Sequence, residues 1–314
     1  ITEPPVNPII PSPAQWNYRN TMQFHLSPSG KPGFRNTTGE RVVEISECHL
    51  PLPEMAEFWP NLDIDPETGI KRVMLRSGSD GELLVGLESD LGEPPEIALD
   101  APVSMHFLGR GQDYLLAGDA CSTMTVNGID FVVSPRSFFQ VNLPQAEVMV
   151  KYVLENSGVT PASTVLDLYC GVGLFSRFLA PRVKELVGVE LSESACNDFA
   201  VNLDAYDNVS LYMGKVEDIL SSIDVQPDEI ILDPPRAGLD KRVVKYLAES
   251  SAKRLIYVSC DPATLARDCR RLLDGGYSVD SVQPFDLFPQ TYHVENVCLL
   301  TRKEDLTDVI YDDR

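Results

Sequence analysis

The sequence predicts an α/β fold, a doubly wound and mainly parallel sheet, preceded by an N-terminal mostly β module. Three observations predict it. Apolar runs at 164–168, 185–189, 208–212, 229–233, 254–259, 277–282 and 296–301 alternate with helical patterns, the order that builds a parallel sheet covered on both faces. The first run leads straight into Gly171-Val172-Gly173, a tight turn that opens a second apolar run. Before residue 130, short apolar runs stand between Gly, Pro and Asp turns. The signals change at Phe131, so the β module is taken as 1–130 and the α/β domain as 131–314.

The first residues, 1–15, are rich in proline and read as an extended, irregular lead-in. Met22–Leu26 alternates as a strand, a Pro/Ser/Gly turn at 27–33 leads to Gly33-Phe34-Arg35, and Arg41–Ile45 is the next strand. Lys71–Leu75, Leu83–Leu87 and Val103–Leu108 continue the module. Ser134–Asn142 then leads into a helix whose apolar positions are Ala146, Met149, Val150, Val153 and Leu154, ending near Gly158. The acidic tail Glu304–Arg314 reads as solvated.

Composition narrows the classes. An apolar fraction of 43% and a charged fraction of 23% are ordinary for a globular protein. No run approaches a membrane span and no signal segment begins the chain, which starts at Ile1 as a fragment or a processed chain would. Seven scattered cysteines, with no Cys-x-x-Cys, point to a reducing compartment, the cytoplasm, and away from a disulfide framework or a self-contained metal site. The net charge of −21 sits awkwardly with a nucleic-acid partner, but 234–271 holds 9 Lys/Arg against 4 acids. That stretch is either a basic surface or, at Lys241 and Lys245, a solvated helix face.

Four constellations carry chemistry. Asp167-Leu168-Tyr169-Cys170-Gly171-Val172-Gly173 is a strand, turn and helix start; a dinucleotide fingerprint would place a third glycine where Ser176 stands. Glu190 ends the next strand, about 20 residues on, where an acid can hold ribose hydroxyls. Taken alone, the stretch is a nucleotide site or a structural turn. Asp233-Pro234-Pro235-Arg236 sets a carboxylate at the carboxyl edge of the sheet on a loop stiffened by two prolines. Ser259-Cys260-Asp261 ends a strand just before a helix start and near several Arg, conditions that favour a thiolate, although most cysteines are inert core residues. In His293-Val294-Glu295 the carboxylate enters an apolar run, either as a base with a raised pKa or as a hydrogen-bonded structural residue; His293 reads as structural.

In this order, with Trp16-Asn17-Tyr18-Arg19-Asn20 and Ser137-Phe138-Phe139-Gln140-Val141-Asn142 ahead of them, these motifs resemble the RNA uracil-C5 (5-methyluridine) methyltransferases, class I enzymes dependent on S-adenosylmethionine (SAM). The likeness covers nearly the whole chain. It implies a class I, Rossmann-like catalytic domain at 131–314. It also implies Cys260 as nucleophile and Glu295 as base, with Gln140, Asp167, Tyr169, Gly171, Gly173, Glu190 and Asp233 around the cofactor and Arg236 and Phe139 at the substrate. RNA is the implied partner, ribosomal rather than transfer RNA on the strength of Cys48 and Gly33-Phe34-Arg35, and the implied state is a monomer. Many members carry an iron–sulfur segment; Cys48 resembles its lone downstream ligand and could serve only with an upstream Cys segment. The alternatives are an RNA cytosine-C5 methyltransferase, which would carry a second cysteine after Asp-x-Pro, a non-catalytic RNA-binding protein of the same fold, and, more distantly, an NAD-dependent oxidoreductase.

Overall fold

The computed structural model describes residues 5–97 and 101–303, so the acidic tail expected at Glu304–Arg314 lies outside it. The chain divides into two units: Pro13–Glu147, and the stretches Ile1–Ser12 and Val148–Arg314 together.

In the first unit, strands β1 (Thr21–Leu26), β2 (Pro32–Arg35) and β3 (Val42–Glu44) precede helix α1 (Pro53–Phe58). Then come β4 (Ile70–Ser77), β5 (Leu83–Ser89), β6 (Ser104–Leu108) and β7 (Asp113–Ala117). The seven strands pair in the order β3-β2-β1-β4-β5-β6-β7, and only β5 and β6 run parallel. Alternation on β1 buries Met22 and Phe24, and Phe24 stacks on Trp59 at 5.0 Å in a core shared with Met55 of α1. The sequence signals anticipated β1 to β6 but neither α1, opened by Pro53, nor β7. They also passed over a hairpin, β8 (Ser122–Val126) and β9 (Ile129–Val133). Asn127 at φ 47° and Gly128 at φ 74° make its two-residue turn, and Asn-Gly between alternating residues is its usual signal.

Helix α2 (Leu143–Asn156) is followed by the second unit's sheet. Its elements run β10 (Thr164–Leu168), α3 (Leu174–Leu179), β11 (Glu185–Glu190), α4 (Glu193–Asn202), β12 (Val209–Met213), α5 (Val216–Ile219) and β13 (Glu229–Leu232). The chain continues through α6 (Lys241–Glu249), β14 (Arg254–Ser259), α7 (Pro262–Asp274), β15 (Tyr277–Phe285) and β16 (Glu295–Arg302). The order across the sheet is β12-β11-β10-β13-β14-β16-β15. β16 alone runs antiparallel, between β14 and β15. Leu166, Leu168, Ile230, Leu232, Leu255 and Tyr257 are fully buried against Val243 and Leu247 of α6 and Leu265 and Leu272 of α7. Each such side chain contributes roughly 1.5–3 kcal/mol by leaving water. Residues 5–12 are indeed extended, and they are ordered along β15: Asn7 N donates to Val282 O at 2.9 Å and Ile10 N to Pro284 O at 2.9 Å. This occupies an edge that would otherwise offer unpaired backbone groups. Among the described residues no helix is long and apolar enough to cross a membrane.

The chain leaves β10 for β11 and β12 on one side, then returns to β13 on the other. Ligands of open parallel sheets bind at the carboxyl ends of the strands where the order reverses in this way. The predicted acids and glycines converge on that crevice.

Candidate active site

The loop after β10 is strained. Tyr169 sits at φ 63°, a conformation that costs a bulky residue free energy, and Gly171 and Gly173 follow at φ 54° and 91°. Gly173 is required twice over, since a Cβ there would stand 2.5 Å from Leu203 Cδ1 and 3.0 Å from Phe199 Cδ2. A Cβ on Gly171 would meet nothing within 4 Å, so that glycine borders open space. The thiol of Cys170 faces inward instead, and burial pushes its pKa well above the ordinary value.

Glu190 closes the crevice from the next strand. Its Oε2 accepts from Gly171 N at 3.0 Å and its Oε1 from Leu191 N at 2.8 Å and Ser192 N at 2.7 Å. Three backbone donors therefore fix the carboxylate against the glycine loop. Asp167, fully buried on β10, accepts from Ser176 Oγ at 2.6 Å, and its other oxygen has no protein partner. The residue that breaks the dinucleotide fingerprint is thus the one that anchors Asp167. Burial chiefly, with the Glu190 charge adding, pushes Asp167 up to about 7; burial, Asp167 and Glu190 push Asp233, just beyond β13, up to about 7 as well.

The sign of the resulting pH dependence follows. A carboxyl whose folded pKa exceeds its unfolded value stabilises the fold below the unfolded pKa, and that contribution is lost as pH rises through the folded one. For Asp167 the rise from 3.8 to about 7 is worth on the order of 4 kcal/mol. Asp167→Asn should therefore melt higher than wild type, without ligand, above pH 7, and the advantage should fade towards pH 4. Melting curves whose difference does not change across that range would rule this out.

At the other side of the crevice, β14 ends at Ser259 and Cys260 follows, half-buried, with Asp261 capping α7 through Thr264 N at 2.8 Å. Because β16 is antiparallel, its first residue rather than its last lies at this edge. Ser259 pairs with Asn296, and Asn296 Nδ2 donates to Ser259 O at 3.3 Å, so Cys260 and Glu295 are the next residues in register. The side chain of Glu295 is buried. Burial first, then Asp233, raises its pKa well above the ordinary carboxylate range, and the Arg236 charge opposes them.

The helix start and neighbouring arginines were expected to favour the Cys260 thiolate, but burial, Glu295 and Asp233 raise the thiol pKa, against smaller opposition from Arg236 and a backbone hydrogen bond. The basic stretch is largely consumed by its own unit. Arg267 and Arg271 pair with buried Asp268, and Arg242 with Asp218 and Asp240. Lys245 pairs with Glu249 and Arg270 with Asp274, while Arg254 donates to Asn156 O. Arg236 Nη2 instead lies 2.8 Å from His293 Nε2 and 3.4 Å from its Nδ1, a partner that composition could not reveal.

Gln140 and Phe139 belong to the first unit. Both are buried, Gln140 with its carbonyl accepting from Asn20 Nδ2 at 2.9 Å and Phe139 with its ring 5.5 Å from Phe131. Of the two adjacent rings Phe138 and Phe139, Phe138 is the exposed one. Cys48 is half-buried and packs against the Phe24–Trp59 core. No group of three or more His, Cys, Asp or Glu among the described residues could hold a metal ion, so these residues do not fit an iron–sulfur cluster.

Comparison with known proteins shows the family. The tRNA (uracil-5-)-methyltransferase family matches over residues 109–303. An uncharacterized RNA methyltransferase of Enterococcus faecalis is 32% identical over 97% of this chain and 76% of its own length. One from Geobacter sulfurreducens is 33% identical over 94% and 68% respectively. Among solved structures, the Pyrococcus abyssi tRNA (uracil-54, C5)-methyltransferase in complex with S-adenosyl-L-homocysteine superposes with a TM-score of 0.73. It is 27% identical and covers 95% of this chain and 79% of that one.

Proposed function

The chain belongs to the tRNA (uracil-5-)-methyltransferase family, and from that premise we propose that it binds SAM and forms 5-methyluridine in RNA, with Cys260 as nucleophile and Glu295 as base. The observation that carries the proposal is the pairing of Ser259 with Asn296, which makes Cys260 and Glu295 next in register at the carboxyl end of β14 and the amino end of β16. The crevice also fits the cofactor. It combines an acid pinned at the end of β11, open space at Gly171, an unpartnered oxygen on Asp167 and a raised carboxyl on Asp233. Such a carboxylate-rich crevice favours a cationic ligand over an anionic one. Glu190 is assigned to the ribose hydroxyls, with Asp167, Tyr169, Gly171, Gly173, Asp233 and Gln140 around the rest of the cofactor.

SAM, when bound, supplies an electrophilic methyl group. Uracil C5 is a poor nucleophile until C6 is attacked, so Cys260 must first lose its proton and bond through sulfur to C6, moving the C5–C6 electron pair onto C5 and the adjoining carbonyl. After C5 is methylated, Glu295 takes the C5 proton, the C5–C6 double bond re-forms and the sulfur–carbon pair returns to Cys260. The buried and raised Glu295 is a stronger base than a solvated carboxylate. Arg236 is assigned to the substrate, and exposed Phe138, rather than buried Phe139, is the ring of the Phe138-Phe139 pair free to stack on RNA.

Ribosomal RNA is the proposed target, on Cys48 and Gly33-Phe34-Arg35; transfer RNA is the second reading, favoured by the activity named for the Pyrococcus abyssi relative. The working state is taken as a cytoplasmic monomer. Incubating the protein with methyl-labelled SAM and each RNA class, then digesting to nucleosides, tests the proposal. Label in 5-methyluridine supports it and the labelled RNA identifies the branch. Label in 5-methylcytidine, or RNA bound without labelling, overturns it in favour of cytosine chemistry or a non-catalytic role.

A further inference from the structure

We propose that His293 is a positioning residue: its neutral imidazole holds the Arg236 guanidinium across the end of β14, over the edge where Cys260 and Glu295 stand. The inference rests on the proposed uracil chemistry and extends it to a residue that the motifs suggest is structural.

The topology makes the bond a strap. β14 lies between β13 and β16, so the loop after β13, which carries Arg236, and the loop before β16, which carries His293, flank the strand that ends at Cys260. Arg236 Nη2 lies 2.8 Å from His293 Nε2 and 3.4 Å from its Nδ1. A guanidinium can only donate, so the ring that meets it at both nitrogens accepts in its neutral form. The histidine is itself held. Its backbone N–H donates to Thr291 Oγ1 at 3.2 Å, Thr291 Oγ1 donates to Phe288 O at 2.8 Å, and Gln290 turns the chain at φ 63°. Its ring lies 4.0 Å from that of Tyr292 and edge-on to Phe288 at 5.9 Å.

The choice of partner matters electrostatically. Arginines 242, 267, 270 and 271 of the same stretch are paired with carboxylates, which offset their charge. Arg236 has no such pair among the described residues, and a neutral acceptor fixes its direction while leaving its full charge. That charge reaches Cys260, Glu295 and Asp261, favouring the ionised form of each. A nucleophile and a base that are both buried need such a cation, and it acts only from the right place.

Two substitutions separate the acceptor from the ring. His293→Phe keeps the ring contacts and removes the acceptor, whereas His293→Gln keeps an acceptor and removes the ring. His293→Phe should lower kcat, and the rate of covalent capture by RNA containing 5-fluorouridine, by about 10²-fold with little change in KM for RNA. His293→Gln should stay near wild type. In an Arg236→Met background, His293→Phe should cost nothing further, because the pair acts as one. A wild type that turns over uracil while His293→Phe keeps its kcat, or while His293→Gln falls as far as His293→Phe, overturns the positioning role and leaves the function standing. A wild type with no uracil chemistry at all overturns both.

Discussion

Cys260→Ala is expected to abolish methyl transfer, lowering kcat on the order of 10⁴-fold or more, while cofactor binding survives. The asymmetry comes from where the residue stands. Cys260 follows β14, on the far side of β13 from the glycine loop, and none of the hydrogen bonds that fix Glu190 and Asp167 passes through it. Half-buried and replaced by a smaller side chain, it should leave the fold intact. Without sulfur, however, nothing can add to C6, and C5 stays unreactive. The same reading sets the pH dependence. Cys260 and Glu295 must both lose a proton, and both hold their protons above the ordinary values. The rate should therefore climb with pH through the range where an unperturbed thiol titrates, and a kcat/KM that falls between neutral and mildly alkaline pH would contradict it. Calorimetry with SAM and turnover with RNA, measured on the same preparation, separate binding from chemistry. Loss of both together would move Cys260 from the reaction to the scaffold.

Glu295→Gln should fail at a different step. The amide is nearly isosteric, so the β14–β16 pairing and the Asn296 contact to Ser259 are retained, but the side chain can no longer take a proton. Addition and methylation proceed, and elimination stalls. Ordinary RNA, with no trapping base, should then remain bonded to the protein through denaturing electrophoresis, with turnover down by about 10²–10⁴-fold. Methylated RNA should be found in the trapped complex after proteolysis. A variant that releases methylated RNA at the wild-type rate would assign the proton to another group. One that neither methylates nor traps would make Glu295 a requirement of the addition step.

Much of this could be read from residues in sequence, because strand and turn signals are local. The apolar runs lie within a few residues of β10 to β16, and an acid or a cysteine at the end of a parallel strand necessarily reaches the ligand edge. The pairing of Cys260 with Glu295 was not legible in the same way. It depends on β16 entering the sheet antiparallel between β14 and β15, a choice made by packing rather than by any local preference. The ionisation of Cys260 is not legible for a related reason: arginines near it in sequence are not near it as free charges, since most of them face their own carboxylates. Ser176 looked like a defect in a fingerprint until its hydroxyl was placed on Asp167. In the first unit, the Asn127-Gly128 turn is a local hairpin signal, set among other Gly and Asp residues that mask it.

The measurement that reaches the central claim most directly is covalent capture. The protein is incubated with SAM and RNA carrying 5-fluorouridine, in which fluorine cannot leave C5 as a proton does, and any denaturation-resistant adduct is digested and mapped by mass spectrometry. The expected product is a methylated fluorouridine joined through C6 to the sulfur of Cys260, absent from Cys260→Ala. An adduct on any other residue, or none from a protein that binds both SAM and the RNA, would contradict it.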